Sequence, residues 1–224
     1  IIMDEIKLIE IKEEILSDND LAAQTLRRKL EADKTFVVNL MSSPGAGKTS
    51  LLLQTIAELK HDFSIGVIEA DIDSMVDAEK IREAGVACVQ LRTGGFCHLD
   101  SHMVAQGLEA LGSEAFDLVF IENVGNLVCP AEFDTGAIKN AMILSVPEGD
   151  DKPLKYPLMF STSDVLVINK TDMLSLSDFD MNTLYGHISR LNPKMSVFEV
   201  SAKTGDGIAG WTNWLRQQVS DFLK

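Results

Sequence analysis

The sequence predicts an α/β fold, a doubly wound and mostly parallel sheet flanked by helices. Three observations predict it. Apolar runs of strand length alternate with helical patterns along nearly the whole chain. A glycine-rich turn separates the first apolar run from the helical pattern that follows it. Polar and acidic residues stand where several later runs end, which is where open sheets of this kind bind ligands. Strands are expected near 36–41, 64–69, 86–91, 117–122, 137–146, 164–169 and 195–200, with helices near 48–60, 74–84, 98–111, 175–191 and 206–223. Ser74 with Asp77 has the spacing of a capping box, and Gly85 and Gly112 stand where helix C-caps belong.

Residues 1–34 read as an N-terminal helical extension, with Ile2, Ile6, Ile9 and Leu16 toward its buried face, and 35–224 as one domain. Pro147 to Pro157 is the least regular stretch and reads as an exposed loop. At 224 residues and 46% hydrophobic content the chain can bury one substantial core. Its 20 basic and 34 acidic residues leave a net charge of −14, which repels phosphate backbones and anionic lipid and argues against nucleic acid or a membrane as partner. No apolar run reaches the ~18–20 residues of a membrane span, and Ile1-Ile2-Met3-Asp4-Glu5 is too acidic for a signal peptide. A cytoplasmic setting is expected, and there the three cysteines favour free thiols or metal thiolates over disulfides.

The turn after the first strand, Ser43-Pro44-Gly45-Ala46-Gly47-Lys48-Thr49, has the make-up of a phosphate loop. Gly45, Ala46 and Gly47 let backbone N–H groups converge on phosphate oxygens, and the helix opening at Lys48, Thr49 and Ser50 presents its positive end. Lys48 would reach the β- and γ-phosphates, and the Thr49 hydroxyl would ligate Mg²⁺. The usual pattern has glycine where this chain has Ser42; the strand-turn-helix context supports the motif all the same. Mg²⁺ also needs carboxylates from neighbouring strand ends. Asp71 after the second strand and Glu122 at the end of the fourth are the candidates, whereas Asp73 reads as a helix-entry acid. Gly125, three residues after Glu122, would let an N–H approach the γ-phosphate.

Asn169-Lys170-Thr171-Asp172 follows the apolar run 164–168 and makes a guanine clamp, since the Asp172 carboxylate can accept from both N1–H and the exocyclic amine of guanine. Ser201-Ala202-Lys203, after the last strand, resembles the second base loop of GTPases, with the Ala202 N–H toward guanine O6. Phosphate loop and clamp together predict a P-loop NTPase that binds and hydrolyses GTP. A third constellation, Cys97-His98 with Cys129, offers sulfur and imidazole ligands for Ni²⁺ or Zn²⁺. His102 would share a helix face with His98 and is a further candidate ligand. Cys88 reads as a small buried hydrophobe, and His61 and His187 as surface residues.

These segments resemble the HypB family, the GTPases that assist nickel insertion into nickel-iron hydrogenases. The resemblance is carried by Ser42 to Thr49, by Thr93-Gly94 with Cys97 to Val104, by Ile121 to Pro130 and by Asn169 to Asp172. It implies a metallochaperone that dimerises on GTP binding and carries metal between subunits through Cys97, His98 and Cys129. It implies Mg²⁺-associated roles for Asp71 and Glu122, and as partners a HypA-type nickel chaperone and a hydrogenase large-subunit precursor. It also accommodates Ser42. A cysteine-rich N-terminal nickel motif and a histidine-rich tract, present in some members, are absent from this sequence, so the resemblance implies neither high-affinity N-terminal nickel binding nor bulk storage. Accessory GTPases for urease or a cobalamin enzyme are the nearest alternatives. An ATP-dependent kinase leaves the clamp unexplained, and GTP turnover separates all of these from a non-catalytic nickel-binding protein.

Overall fold

A computed structural model describes residues 11–71, 76–112 and 115–224. Ile2, Ile6, Ile9, Asp73 and Ser74, assigned roles above, lie outside the described residues. Seven strands form one sheet: β1 (Phe36–Ser42), β2 (Ile65–Asp71), β3 (Ala87–Arg92), β4 (Leu118–Glu122), β5 (Lys139–Ser145), β6 (Val165–Asn169) and β7 (Ser196–Glu199). Their spatial order is β3-β2-β4-β1-β5-β6-β7, and every pairing is parallel. β1, β4 and β6 are buried along their whole length, which is why they read as near-continuous apolar runs.

Helices cover both faces. On one, α2 (Lys48–Leu59) and α9 (Ile208–Leu223) pack over Phe36, Val38, Leu52, Ile56 and Leu215, where the buried Trp211 donates its indole N–H to Thr55 Oγ1 at 2.9 Å. α3 (Val76–Glu83) adds Ile81 to the same cluster. On the other face, α1 (Ile11–Asp33) and α4 (Ser101–Leu111) enclose Leu26, Leu30, Ile68, Val104 and Leu108. The buried stripe of α1 is therefore Asn19, Ala23, Leu26 and Leu30, while Leu16 is half-buried. Farther along that face, the short α5 (Cys129–Glu132), α6 (Lys152–Lys155) and α7 (Pro157–Thr162) precede α8 (Met181–Leu191).

Two expectations are corrected. The stretch 147–157 is a run of short helical turns and not an irregular loop. Pro147, Pro153 and Pro157 each stand in a first turn, where a preset φ and a missing N–H cost nothing. The helix expected at 98–111 starts at Ser101 instead, because Asp100 caps it by accepting from Met103 N at 2.8 Å.

Candidate functional site

Parallel pairing puts the C-terminal ends of β1, β2 and β4 side by side, and the segments leaving them line a cleft of about 440 Å³. The phosphate loop forms one wall, and Glu69, Asp71, Asp77, Lys80, Glu122 and residues 123–125 form the rest. Gly47 adopts a left-handed conformation (φ 95) ahead of α2, and no side chain caps that helix, so its first N–H groups are available to an anion. A Cβ at Gly47 would lie 2.5 Å from Asn169 Nδ2, so the position has no room for a side chain.

Lys48 Nζ donates to Ser42 Oγ at 3.2 Å. The residue that departs from the glycine pattern thus holds the motif lysine, while its own hydroxyl donates to Ser43 O at 2.7 Å. Thr49 Oγ1 donates to Glu122 Oε1 at 2.7 Å, and Ser50 is exposed beside it. Burial pulls the Lys48 ammonium below its ordinary value, opposed by Glu122, Asp77, Glu69 and Asp71. Burial raises Glu122, opposed by Lys48 and by the Thr49 hydrogen bond. Asp71, half-buried at the end of β2, accepts from Thr93 N through its backbone carbonyl at 3.2 Å. Gly125 abuts the phosphate loop, since a Cβ there would lie 3.1 Å from both N and Cα of Pro44.

The clamp is tied to the same loop. Asn169 is buried; its Nδ2 donates to Ala46 O at 2.9 Å, and its Oδ1 accepts from Lys170 N at 2.8 Å and Ala202 N at 3.0 Å. The Ala202 N–H expected to face guanine O6 donates to Asn169 Oδ1 in this structure. Lys170 lays its stem over the phosphate loop and donates to Gly45 O at 2.6 Å. Asp172 Oδ1 accepts from Ser201 Oγ at 2.7 Å, and the exposed Lys203 lies 3.9 Å from Oδ2. Ser201 thereby fixes the carboxylate proposed to read the base.

Cys97, His98 and Cys129 come together with their ligand atoms within 4.8 Å of one another. The two sulfurs are 2.7 Å apart, and Cys97 Sγ is 3.8 Å from His98 Nδ1. The His98 ring stacks on Phe133 at 3.8 Å, and burial lowers its pKa, favouring the neutral imidazole that ligates metals. The thiol hydrogen bond to Cys97 raises Cys129. His102 is not in this group: with α4 starting at Ser101, His98 precedes the helix and His102 lines a groove between α4 and α1 beside Leu26 and Lys29. Cys88 is half-buried against the core, and burial pushes its thiol to about 11.

Sequence reasoning gave four residues no place in the site, Asp77 among them, which it read only as part of a capping box. Glu69 lies two residues before Asp71 and so on the same strand face, a period-of-two signal that was there to read. Burial, with Glu122, Asp71 and Asp77, pushes Glu69 to about 8, opposed by Lys48. Asp77 and Lys80 pair at 2.8 Å on the cleft wall. Glu148 accepts from the Ser43 hydroxyl and, as the N3 residue of a capping box, from Ser145 N and Oγ, both at 2.7 Å, so it buttresses the phosphate loop.

Residues 36–199 match the family described as CobW/HypB/UreG, nucleotide-binding domain. The chain is 46% identical over 213 residues to the hydrogenase maturation factor HypB of Rhizobium leguminosarum bv. viciae, covering 95% of this chain and 71% of that protein. It is 41% identical over 216 residues to the hydrogenase/urease maturation factor HypB of Helicobacter hepaticus, covering 95% and 88% of the two. Among solved structures, HypB from Helicobacter pylori in complex with nickel superposes with a TM-score of 0.85 at 37% identity, over 92% of this chain and 97% of that one.

Proposed function

The chain belongs to the HypB family, and on that premise we propose that it is a GTP-hydrolysing nickel carrier for hydrogenase maturation whose metal affinity is set by the nucleotide. The observation that carries this reading is one short loop shared by two sites. Between Glu122 and Cys129 the chain passes from the wall of the phosphate cleft, through Gly125 against Pro44, to the sulfur beside Cys97. A shift of this loop as the γ-phosphate enters or leaves would be felt at Cys129.

The hydrolysis follows from the groups in the cleft. The uncapped start of α2 and the N–H groups of Gly45 to Thr49 hold the phosphate oxygens, and Lys48 moves from Ser42 onto the transferred phosphate. Thr49, Glu122 and Asp71 are the residues that would hold Mg²⁺, which supplies charge neutralisation at the phosphates. The unpartnered Oε2 of Glu122 in the cleft supports that fit. At the base, Asp172 is held by Ser201, while Lys170 and Asn169 brace the loops around it. Nickel or zinc is cargo, held by the soft donors Cys97, His98 and Cys129 with a position left open for transfer. Two copies joined on GTP binding would complete that coordination, delivering to or receiving from a HypA-type chaperone and a hydrogenase large-subunit precursor. The Helicobacter relative, named for hydrogenase and urease, favours a second reading in which this chain also serves urease.

The test of the shared loop is a nickel titration of protein loaded with GDP or with a non-hydrolysable GTP analogue, alongside sedimentation. Nickel affinity is expected to differ by roughly 5–150-fold between the two states, and linkage then requires nickel to change nucleotide affinity by the same factor. Identical isotherms with an unchanged monomer fraction would sink the nucleotide-switched carrier. Cys97→Ala and Cys129→Ala should each weaken Ni²⁺ by at least about tenfold and leave the GDP affinity of the metal-free protein nearly unchanged. Asp172→Asn should lower GTP affinity by ~1–3 kcal/mol and admit xanthine nucleotide, because the amide donates where the carboxylate accepted. Full GTP affinity in that variant would remove Asp172 from base reading.

A further inference from the structure

Glu69 and Glu122 are register partners on the adjacent parallel strands β2 and β4, so their side chains leave the same face of the sheet at the same height. Both line the phosphate cleft, and they are 3% and 4% exposed. Glu69 Oε2 and Glu122 Oε2 are the two buried side-chain atoms without a hydrogen-bond partner among the described residues. A buried carboxylate oxygen without a donor is costly, and two of them facing one cavity are costlier because like charges repel. The lining of the cleft carries four carboxylates, Glu69, Asp71, Asp77 and Glu122, against two ammonium groups, Lys48 and Lys80. Lys80 is already engaged by Asp77 at 2.8 Å. With both glutamates ionised the lining is two charges short, a deficit that one divalent cation closes, and the Thr49 hydroxyl on Glu122 Oε1 stands beside the same spot.

We infer that Glu69 and Glu122 form a two-carboxylate seat that binds one oxygen-preferring divalent cation in the nucleotide-free protein, so that the cation is in place before the nucleotide arrives. The inference rests on the nucleotide-site reading above and extends it. It makes Glu69, and not only Glu122 and Asp71, a cation ligand, and it sets an order of binding. Cation occupancy also releases Lys48 from balancing the two glutamates, leaving it free for the incoming phosphate.

The test uses nucleotide-stripped full chain titrated with Mn²⁺, free Mn²⁺ being read by electron paramagnetic resonance. One Mn²⁺ per chain is expected, displaceable by Mg²⁺, which the Cys97, His98 and Cys129 donors do not favour. Glu69→Gln and Glu122→Gln should each weaken Mn²⁺ at least tenfold. Glu69→Gln should also raise the melting temperature measured in chelator at neutral pH, since it removes a carboxyl that ionises more readily in the unfolded chain than in the fold. Should the glutamine variant fold poorly, Glu69→Asp, with a shorter reach, should show the same tenfold loss of Mn²⁺. Wild-type protein with no Mg²⁺-displaceable Mn²⁺, or Glu69 variants that bind Mn²⁺ as wild type does, would overturn the seat. GDP binding with Mg²⁺ present is measured in parallel: its absence in the wild type would sink the nucleotide-site reading, whereas its presence in a protein that binds no Mn²⁺ without nucleotide sinks only this inference.

Discussion

Lys48→Ala should lower the single-turnover rate of GTP hydrolysis by roughly 10²–10³-fold, the scale seen when one preorganised electrostatic contact to a transition state is removed. Among the described residues the ammonium has a single hydrogen bond, to Ser42 Oγ at 3.2 Å, so it is parked and not locked. Burial lowers its pKa while four carboxylates oppose that, which keeps a cation poised where negative charge arrives. The fold should survive, because Lys48 opens α2 without capping it and the helix is anchored by Leu51, Leu52, Ile56 and Leu59. Lys48→Arg should not restore the rate: a planar guanidinium in a space shaped around Ser42 and Thr49 delivers its charge in a different geometry. Phosphate release from preloaded GTP under single-turnover conditions checks both variants. Wild-type release from Lys48→Ala would take the residue out of the mechanism.

The same cleft shows how far the sequence could be read. The strands were legible because β1, β4 and β6 are buried on both faces and leave near-continuous apolar runs, so seven of seven fell within about two residues of their observed ends. The glycine turn before α2, the segment Asn169 to Asp172 and the Cys-His-Cys group could be singled out because each is local in the chain or uses rare residue types. Tertiary contacts could not. Glu148 supports Ser43 from 105 residues away, and no periodicity announces it. Glu69 shares a strand face with Asp71, which the spacing announces, but its pairing with Glu122 on β4 follows only from the sheet order. His102 was misplaced for a different reason: the i, i+4 rule holds only within a helix, and Asp100 starts this one after His98. Asn169 was recognised by its motif, but its part in holding three loops together depends on a topology that places β1 two strands from β6.

That part can be measured. Asn169→Ala should destabilise the protein by roughly 3–5 kcal/mol, because a buried carbonyl and buried N–H groups each left unpaired cost ~1–3 kcal/mol. The groups are Ala46 O at 2.9 Å, Lys170 N at 2.8 Å and Ala202 N at 3.0 Å, so one truncation loosens the phosphate loop and both base loops together. For a domain of this size the melting temperature should fall by about 10 °C. Asn169→Asp keeps the acceptor for Lys170 and Ala202 but sets a carboxylate oxygen against Ala46 O, so it should recover only part of the loss. Gly47→Ala should damage the same brace from the other side, since its Cβ would stand 2.5 Å from Asn169 Nδ2. The nucleotide pattern separates a brace from a base contact. Asp172→Asn should trade guanine for xanthine, whereas Asn169→Ala should weaken GTP, GDP and xanthine nucleotides alike, because the cradle and not the reading group is lost. Thermal denaturation and nucleotide titration of Asn169→Ala decide it, and a variant with wild-type melting temperature and affinities would show that these loops hold their places without Asn169.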